Sequence, residues 1–147
     1  MKLSGTHKFK ATSAQVFTAI LTPAILQAAS GASGVGFVNP NTLRAEVTTP
    51  LPGLKGPYEL FLNIVNRQDP SYLELQLTRQ GRGGSINAVA KISLADEVGG
   101  SLLTYDANAD LEGAVAIANN PLGQGVVKNS LNGFFKNLEK EIEKAYV

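Results

Sequence analysis

Four side chains with chemistry to offer fall on the face that strand alternation turns inward: His7, Tyr58, Arg79 and Tyr105. A histidine there can act as a base or as a polar contact for a ligand, and it can equally be a satisfied core or edge residue. No Ser or Asp stands at a spacing that would complete a recognisable triad with it. Each phenol combines an apolar body with one hydrogen-bonding tip, so Tyr58 and Tyr105 suit a mostly apolar ligand that carries one polar group. Arg79 continues the parity of Leu73, Leu75 and Leu77. It can anchor a polar head group at a cavity mouth, although alternation decays at strand ends and the same residue can simply be solvated, which is the reading the sequence favours.

Two further constellations fail on inspection. Asp106, Asn108, Asp110 and Glu112 imitate the start of a calcium loop, but such a loop needs Gly at its sixth position and Glu at its twelfth, where Leu111 and Ile117 stand. Alternation places the row on a solvated strand face instead. Gly81-Arg82-Gly83-Gly84 lacks the Lys-Ser/Thr of a phosphate loop and opens a strand rather than a helix, so it reads as a turn. With one His and no Cys, thiolate chemistry, disulfides and a closed transition-metal site are excluded, and no metal is expected. The 13 basic residues nearly balance the 12 acidic ones, so no broad attraction to nucleic acid is expected.

The elements that must position these groups are legible from periodicity. Lys2 to Phe9 alternates as a first strand, with Leu3, Gly5, His7 and Phe9 inward. Ser13 reads as the N-cap of a short helix that buries Val16, Phe17 and Ile20. Thr22-Pro23 opens a second one through Leu26, ended by the glycines at 31, 34 and 36. Period-two segments follow at Leu43 to Val47, Tyr58 to Ile64, Leu73 to Leu77, Ile86 to Leu94 and Leu103 to Leu111, with Pro50, Pro52, Gly53 and Gly56 punctuating between the first two. From Leu122 to Val147, beyond a break at Asn119-Asn120-Pro121, Val127, Leu131, Phe134, Leu138 and Ile142 form one apolar stripe opposed by Lys and Glu. Strands joined by hairpins, two short helices after the first strand and a long terminal helix make an α+β helix-grip: a curved antiparallel sheet of about seven strands wrapped around the last helix. Residues 1–147 suit a single domain of this kind.

The inward positions include Ala45, Ala88, Ala90, Ala107 and Ala109, small where a filled core would prefer Leu, Ile or Phe. Either a cavity for an apolar ligand lies between sheet and helix, or small residues let the helix approach closely. In the first case the lining comprises Leu75, Ala88, Ala90 and Ala107 from the sheet and Val127, Leu131 and Phe134 from the helix, with His7, Tyr58, Arg79 and Tyr105 as polar points.

Taken in order, Lys2-Leu3-Ser4-Gly5, Val16-Phe17 with Leu21-Thr22-Pro23, Leu54-Lys55-Gly56, Gly81-x-Gly83, Leu103-Thr104-Tyr105, Gly113 and Phe134-Phe135 resemble the carbon monoxide dehydrogenase G-subunit family along nearly the whole chain. The sequence departs from that pattern at Phe17, Thr22 and Ser30, where Trp, Asp and Pro are usual. The family belongs to the START and birch-pollen-allergen superfamily, so the resemblance implies a helix-grip around a hydrophobic cavity. It further implies a non-catalytic accessory of a molybdenum-containing carbon monoxide dehydrogenase that binds a lipid or quinone without a cofactor of its own. The alternatives are a cyclase- or hydrolase-like enzyme of the same superfamily and a protein-interaction module with a filled core. No signal peptide or membrane span is visible, and the membrane-directed C-terminal extension of some relatives is missing, so the expected setting is the cytoplasm, with peripheral membrane contact at most.

Overall fold

The computed structural model describes residues 1–48 and 57–146. Seven antiparallel strands form one sheet in the order β1-β7-β6-β5-β4-β3-β2, with β1 Lys2–Phe9, β2 Gly34–Asn39, β3 Thr42–Val47, β4 Tyr58–Gln68, β5 Tyr72–Arg79, β6 Ser85–Glu97 and β7 Gly100–Glu112. Between β1 and β2 run α1 (Ser13–Ile20) and α2 (Pro23–Ser30), and a 3₁₀ segment (Gly113–Asn119) leads into α3 (Pro121–Tyr146). The two short helices therefore connect opposite edges of the sheet. The register slips between Ile64 and Asn66 of β4 and between Phe37 and Asn39 of β2, and such bulges bend a strand and increase its twist. Together with the alternation of the inner residues, this is the α+β helix-grip that the periodicity implies.

Four details differ from the sequence reading. Thr12, not Ser13, caps α1: its hydroxyl accepts from the Gln15 N–H while the Gln15 side chain accepts from the Thr12 N–H, a reciprocal capping box. The Ser13 N–H donates instead to Asp96 Oδ1 at 2.8 Å, which places a carboxylate from β6 at a helix start that has no acid of its own. Helix α2 runs on to Ser30 and is capped by Gly31 in the left-handed region. Residues 34–39, where glycines suggested only a helix stop, form edge strand β2; its exposed Phe37 and Val38 give no inward alternation to read.

The break before α3 lies where Pro and Asn predict it. Pro121 is its first residue, and the Asn120 side chain accepts the Gly123 N–H at 2.7 Å. Gly123 sits so close to the 3₁₀ segment that a Cβ there would lie 2.5 Å from the Ala118 Cα. The residues Pro50, Pro52, Gly53 and Gly56, and the Leu54-Lys55-Gly56 motif, lie outside the described residues. No helix among the described residues is long and apolar enough to cross a membrane.

Among the described residues the interior shows two packed clusters. The larger joins Phe9, Val16, Phe17, Leu73, Leu94, Leu103, Tyr105, Phe135, Leu138 and Ile142 with their neighbours, and the smaller centres on Tyr58 and Val115. On α3 the large residues that reach full burial are Phe135, Leu138 and Ile142, whereas Val127, Leu131 and Phe134 are half-buried. The stripe is thus rotated by one residue at its middle: Phe135, not Phe134, is the buried ring.

Candidate functional site

Strand register assembles the inner wall in two rows that cross the sheet. Leu43, Leu62, Leu77, Ala88 and Ala109 are successive partners from β3 to β7, and Ile64, Leu75, Ala90, Ala107 and Leu3 are partners from β4 through β7 to β1. Leu62, Leu77, Ala88, Ala90 and Ala107 belong to neither packed cluster and remain half-buried, although their parity turns them toward the helix. The α3 backbone makes its main approaches to α2, the 3₁₀ segment, α1 and β1. Val127 and Leu131 of α3 and the alanines of the sheet are half-buried on facing sides of the interior, with Leu131 packed against the larger cluster.

A cleft of about 600 Å³ lies elsewhere. Phe61, Thr78, Asn87 and Asp110 in its lining are register partners on the outer face, so it opens on the side of the sheet away from α3.

The polar points separate to opposite ends of the interior. At the β1 end, His7 Nε2 lies 3.1 Å from Glu139 Oε2, with both side chains partly shielded. The imidazole is flanked by Phe9 and Phe135, at centroid separations of 4.7 and 5.8 Å. It is the partnered edge histidine anticipated above. Tyr105 is buried against Phe135, with ring centroids 5.3 Å apart.

At the other end, Tyr58 belongs to the cluster with Val115, packed by Leu60, Ile86 and Leu111. Burial pushes its phenol above the ordinary tyrosine range, and the nearby Arg79 charge draws it partly back. Arg79 is 7% exposed, which corrects the solvated reading: alternation persists to the last residue of β5. Its guanidinium donates through Nη1 to the Gly84 carbonyl and through Nη2 to the Arg82 carbonyl, so it holds the β5–β6 turn from within. Among the described residues no carboxylate pairs with it.

Of the residues singled out in the sequence, Leu75, Leu131 and Phe134 pack against the larger cluster, and Ala88, Ala90, Ala107 and Val127 are half-buried outside both clusters. His7 and Tyr105 stand at one end of the interior, Tyr58 and Arg79 at the other. Leu62 and Leu77 are legible by parity, yet nothing local distinguishes them from ordinary core. Lys128, which reaches across to the Ser4 carbonyl, gives no sequence signal because its target lies 124 residues away. Among the described residues no three His, Asp or Glu side chains come together as metal ligands. The Asp106, Asn108 and Asp110 row faces solvent.

The profile of the carbon monoxide dehydrogenase G-subunit (CoxG) family matches residues 5–143. No curated protein matches the chain. Among solved structures, a conserved protein from Geobacillus kaustophilus superposes with a TM-score of 0.88 at 24% identity, covering 99% of this chain and 97% of that one. A protein from Chromobacterium violaceum gives 0.76 at 13% identity, with 97% and 96% coverage. Ara h 8.0201 gives 0.75 at 13% identity, with 98% of each chain covered. At these identities the structures speak for the helix-grip fold and for nothing finer.

Proposed function

The chain belongs to the CoxG family, named for the G-subunit of carbon monoxide dehydrogenase, and from that premise we propose that it is a non-catalytic carrier that buries an apolar small molecule, a lipid or a quinone, between the sheet and α3. The observation that carries this reading is the half-buried rows through Leu62, Leu77, Ala88, Ala90 and Ala107, which lie between two clusters that each pack well without them. Burial is the whole of the chemistry, at roughly 25 cal/mol per Å² of apolar surface removed from water.

A cyclase- or hydrolase-like site would need an acid and a base converging on one point. His7 is engaged with Glu139 at one end of the interior, while Tyr58 and Arg79 sit in the separate cluster at the other, and this weighs for the carrier over the enzyme.

In this proposal the carrier serves a carbon monoxide dehydrogenase complex in the cytoplasm, supplying an electron acceptor or aiding recruitment to the membrane. Ile117, Leu122 and Val126, exposed where the 3₁₀ segment meets α3, are the surface for peripheral lipid contact. Solvent extraction of the purified protein followed by mass spectrometry, together with titration of a fluorescent apolar probe, tests the reading. Saturable binding of about one probe per chain is expected; no uptake of any apolar probe would assign the interior to a filled interaction module.

A further inference from the structure

Among the described residues, one buried side-chain polar atom lacks a hydrogen-bond partner: the hydroxyl of Tyr105, a residue only 5% exposed. A buried hydroxyl with no acceptor is unfavourable, so its persistence calls for a reason outside the folded chain's own bonding. Register supplies the surroundings. Tyr105 stands opposite Gly5 of edge strand β1, on the inward face. A Cβ at Gly5 would lie 2.8 Å from the Tyr105 hydroxyl and 3.0 Å from both Lys128 Nζ and Tyr105 Cε1, so the missing side chain is what lets the phenol and the ammonium come together against β1.

Lys128 comes from α3, one helical turn before Leu131. Its ammonium lies 5.2 Å from the Tyr105 ring centroid and donates to the Ser4 carbonyl, which leaves two N–H groups free to donate. No carboxylate pairs with Lys128 among the described residues; Glu139, also on α3, is engaged with His7. Two residues along β7 from Tyr105, on the same face, Ala107 begins the half-buried row. A polar point made of a phenol hydroxyl and an ammonium therefore adjoins an apolar surface.

We propose that Tyr105 and Lys128 form the head-group subsite of the cavity: the phenol O–H and the Lys128 ammonium donate to an oxygen acceptor, a carbonyl or a carboxylate, at one end of the ligand, whose apolar body lies along Ala90 and Ala107. The subsite rests on the carrier reading above. The Lys128 charge selects against cationic heads. The opposite end, around Arg79, is not its equivalent, since that guanidinium already donates to two turn carbonyls.

The test uses three probes with the same long alkyl body: a fatty acid, an alkyl benzoquinone and the plain hydrocarbon, each competing with an apolar dye. Wild type should bind both headed probes at least tenfold more tightly than the hydrocarbon. Tyr105→Phe should lower affinity for the headed probes by about tenfold, the scale of one buried hydrogen bond. It should leave hydrocarbon binding unchanged and the thermal midpoint no lower than wild type, because the free protein loses no bond. Gly5→Ala should do the same to the headed probes by displacing the phenol and the ammonium from each other. Lys128→Met separates the two head chemistries: a larger loss for the fatty acid than for the quinone assigns a charged carboxylate, and equal losses assign a neutral carbonyl.

Equal binding of all three probes to wild type would leave the carrier and remove the subsite, with an ordered water satisfying the hydroxyl. The same conclusion follows if Tyr105→Phe and Lys128→Met both keep the head preference. Should Tyr105→Phe fail to fold, Lys128→Met and Gly5→Ala decide the matter. If no probe binds at all, the carrier reading and the subsite fall together.

Discussion

The rings of Tyr105 on β7 and Phe135 on α3 meet at a centroid separation of 5.3 Å, and this contact closes the packed end of the interior beneath the terminal helix. Phe135 is 6% exposed and also touches His7 and Phe134, so the ring ties three elements of sequence together at one point. Burial of a phenylalanine in such a position is among the larger single contributions a domain of this size contains.

Phe135→Ala is therefore expected to lower stability by about 3–5 kcal/mol, whereas Phe134→Ala, removing a half-buried ring, should cost about 1–2 kcal/mol. Urea denaturation of the two variants checks the order. A larger loss for Phe134 would mean that the helix stripe runs as periodicity alone suggests.

That reversal marks where the sequence is legible. Strands with one wet face announce themselves by alternation, so β1 and the inward residues of β4 to β7 can be read residue by residue. A helix stripe defines a face only to within about one residue, and with Phe134 and Phe135 adjacent, either ring satisfies the period. The choice is made by Tyr105 and His7, which pack against Phe135 from other strands and which no local pattern encodes. Strand β2 escapes the sequence for a related reason: at the sheet edge neither face of Gly34–Asn39 is fully buried, so hydrophobic alternation has nothing to respond to. The alanines pose the gap as a question, yet its position between two clusters depends on where α3 stands. Lys128 over Gly5 depends on the same placement.

Arg79 is expected to matter through the turn it holds. Arg79→Lys keeps the charge but loses the planar fork that reaches the Arg82 and Gly84 carbonyls together. Stability should fall by about 1–3 kcal/mol, and amide exchange across Gly81 to Ser85 should accelerate more than elsewhere. Wild-type protection in that turn would show that one carbonyl contact is enough.

Tyr58 gives the protein an alkaline signature. Desolvation raises its folded-state pKa above the unfolded value of about 10, with Arg79 opposing in part. A group whose folded pKa is raised contributes stability that is present below the unfolded pKa and is lost as pH rises through the folded one. Denaturation midpoints should accordingly fall above about pH 10, and Tyr58→Phe should flatten that fall while leaving the neutral-pH profile in shape. If the slope persists in the variant, another group governs the alkaline limb.

Ala107 offers the most direct test of the space itself. It pairs with Ala90 in β6 and with Leu3 in β1, and its half-buried side chain, inward by parity, belongs to neither packed cluster among the described residues. Ala107→Phe should therefore place its ring where ligand would lie, abolishing uptake of a long-chain quinone or fatty-acid probe while lowering stability by no more than about 1–3 kcal/mol, the usual range for overpacking. The two readouts separate the alternatives because they respond to different volumes: binding reports free space, and stability reports occupied space. A severe loss of stability in a protein whose wild type takes up no apolar probe would mean that the alanines serve close helix approach, and the carrier would give way to an interaction module with a filled core.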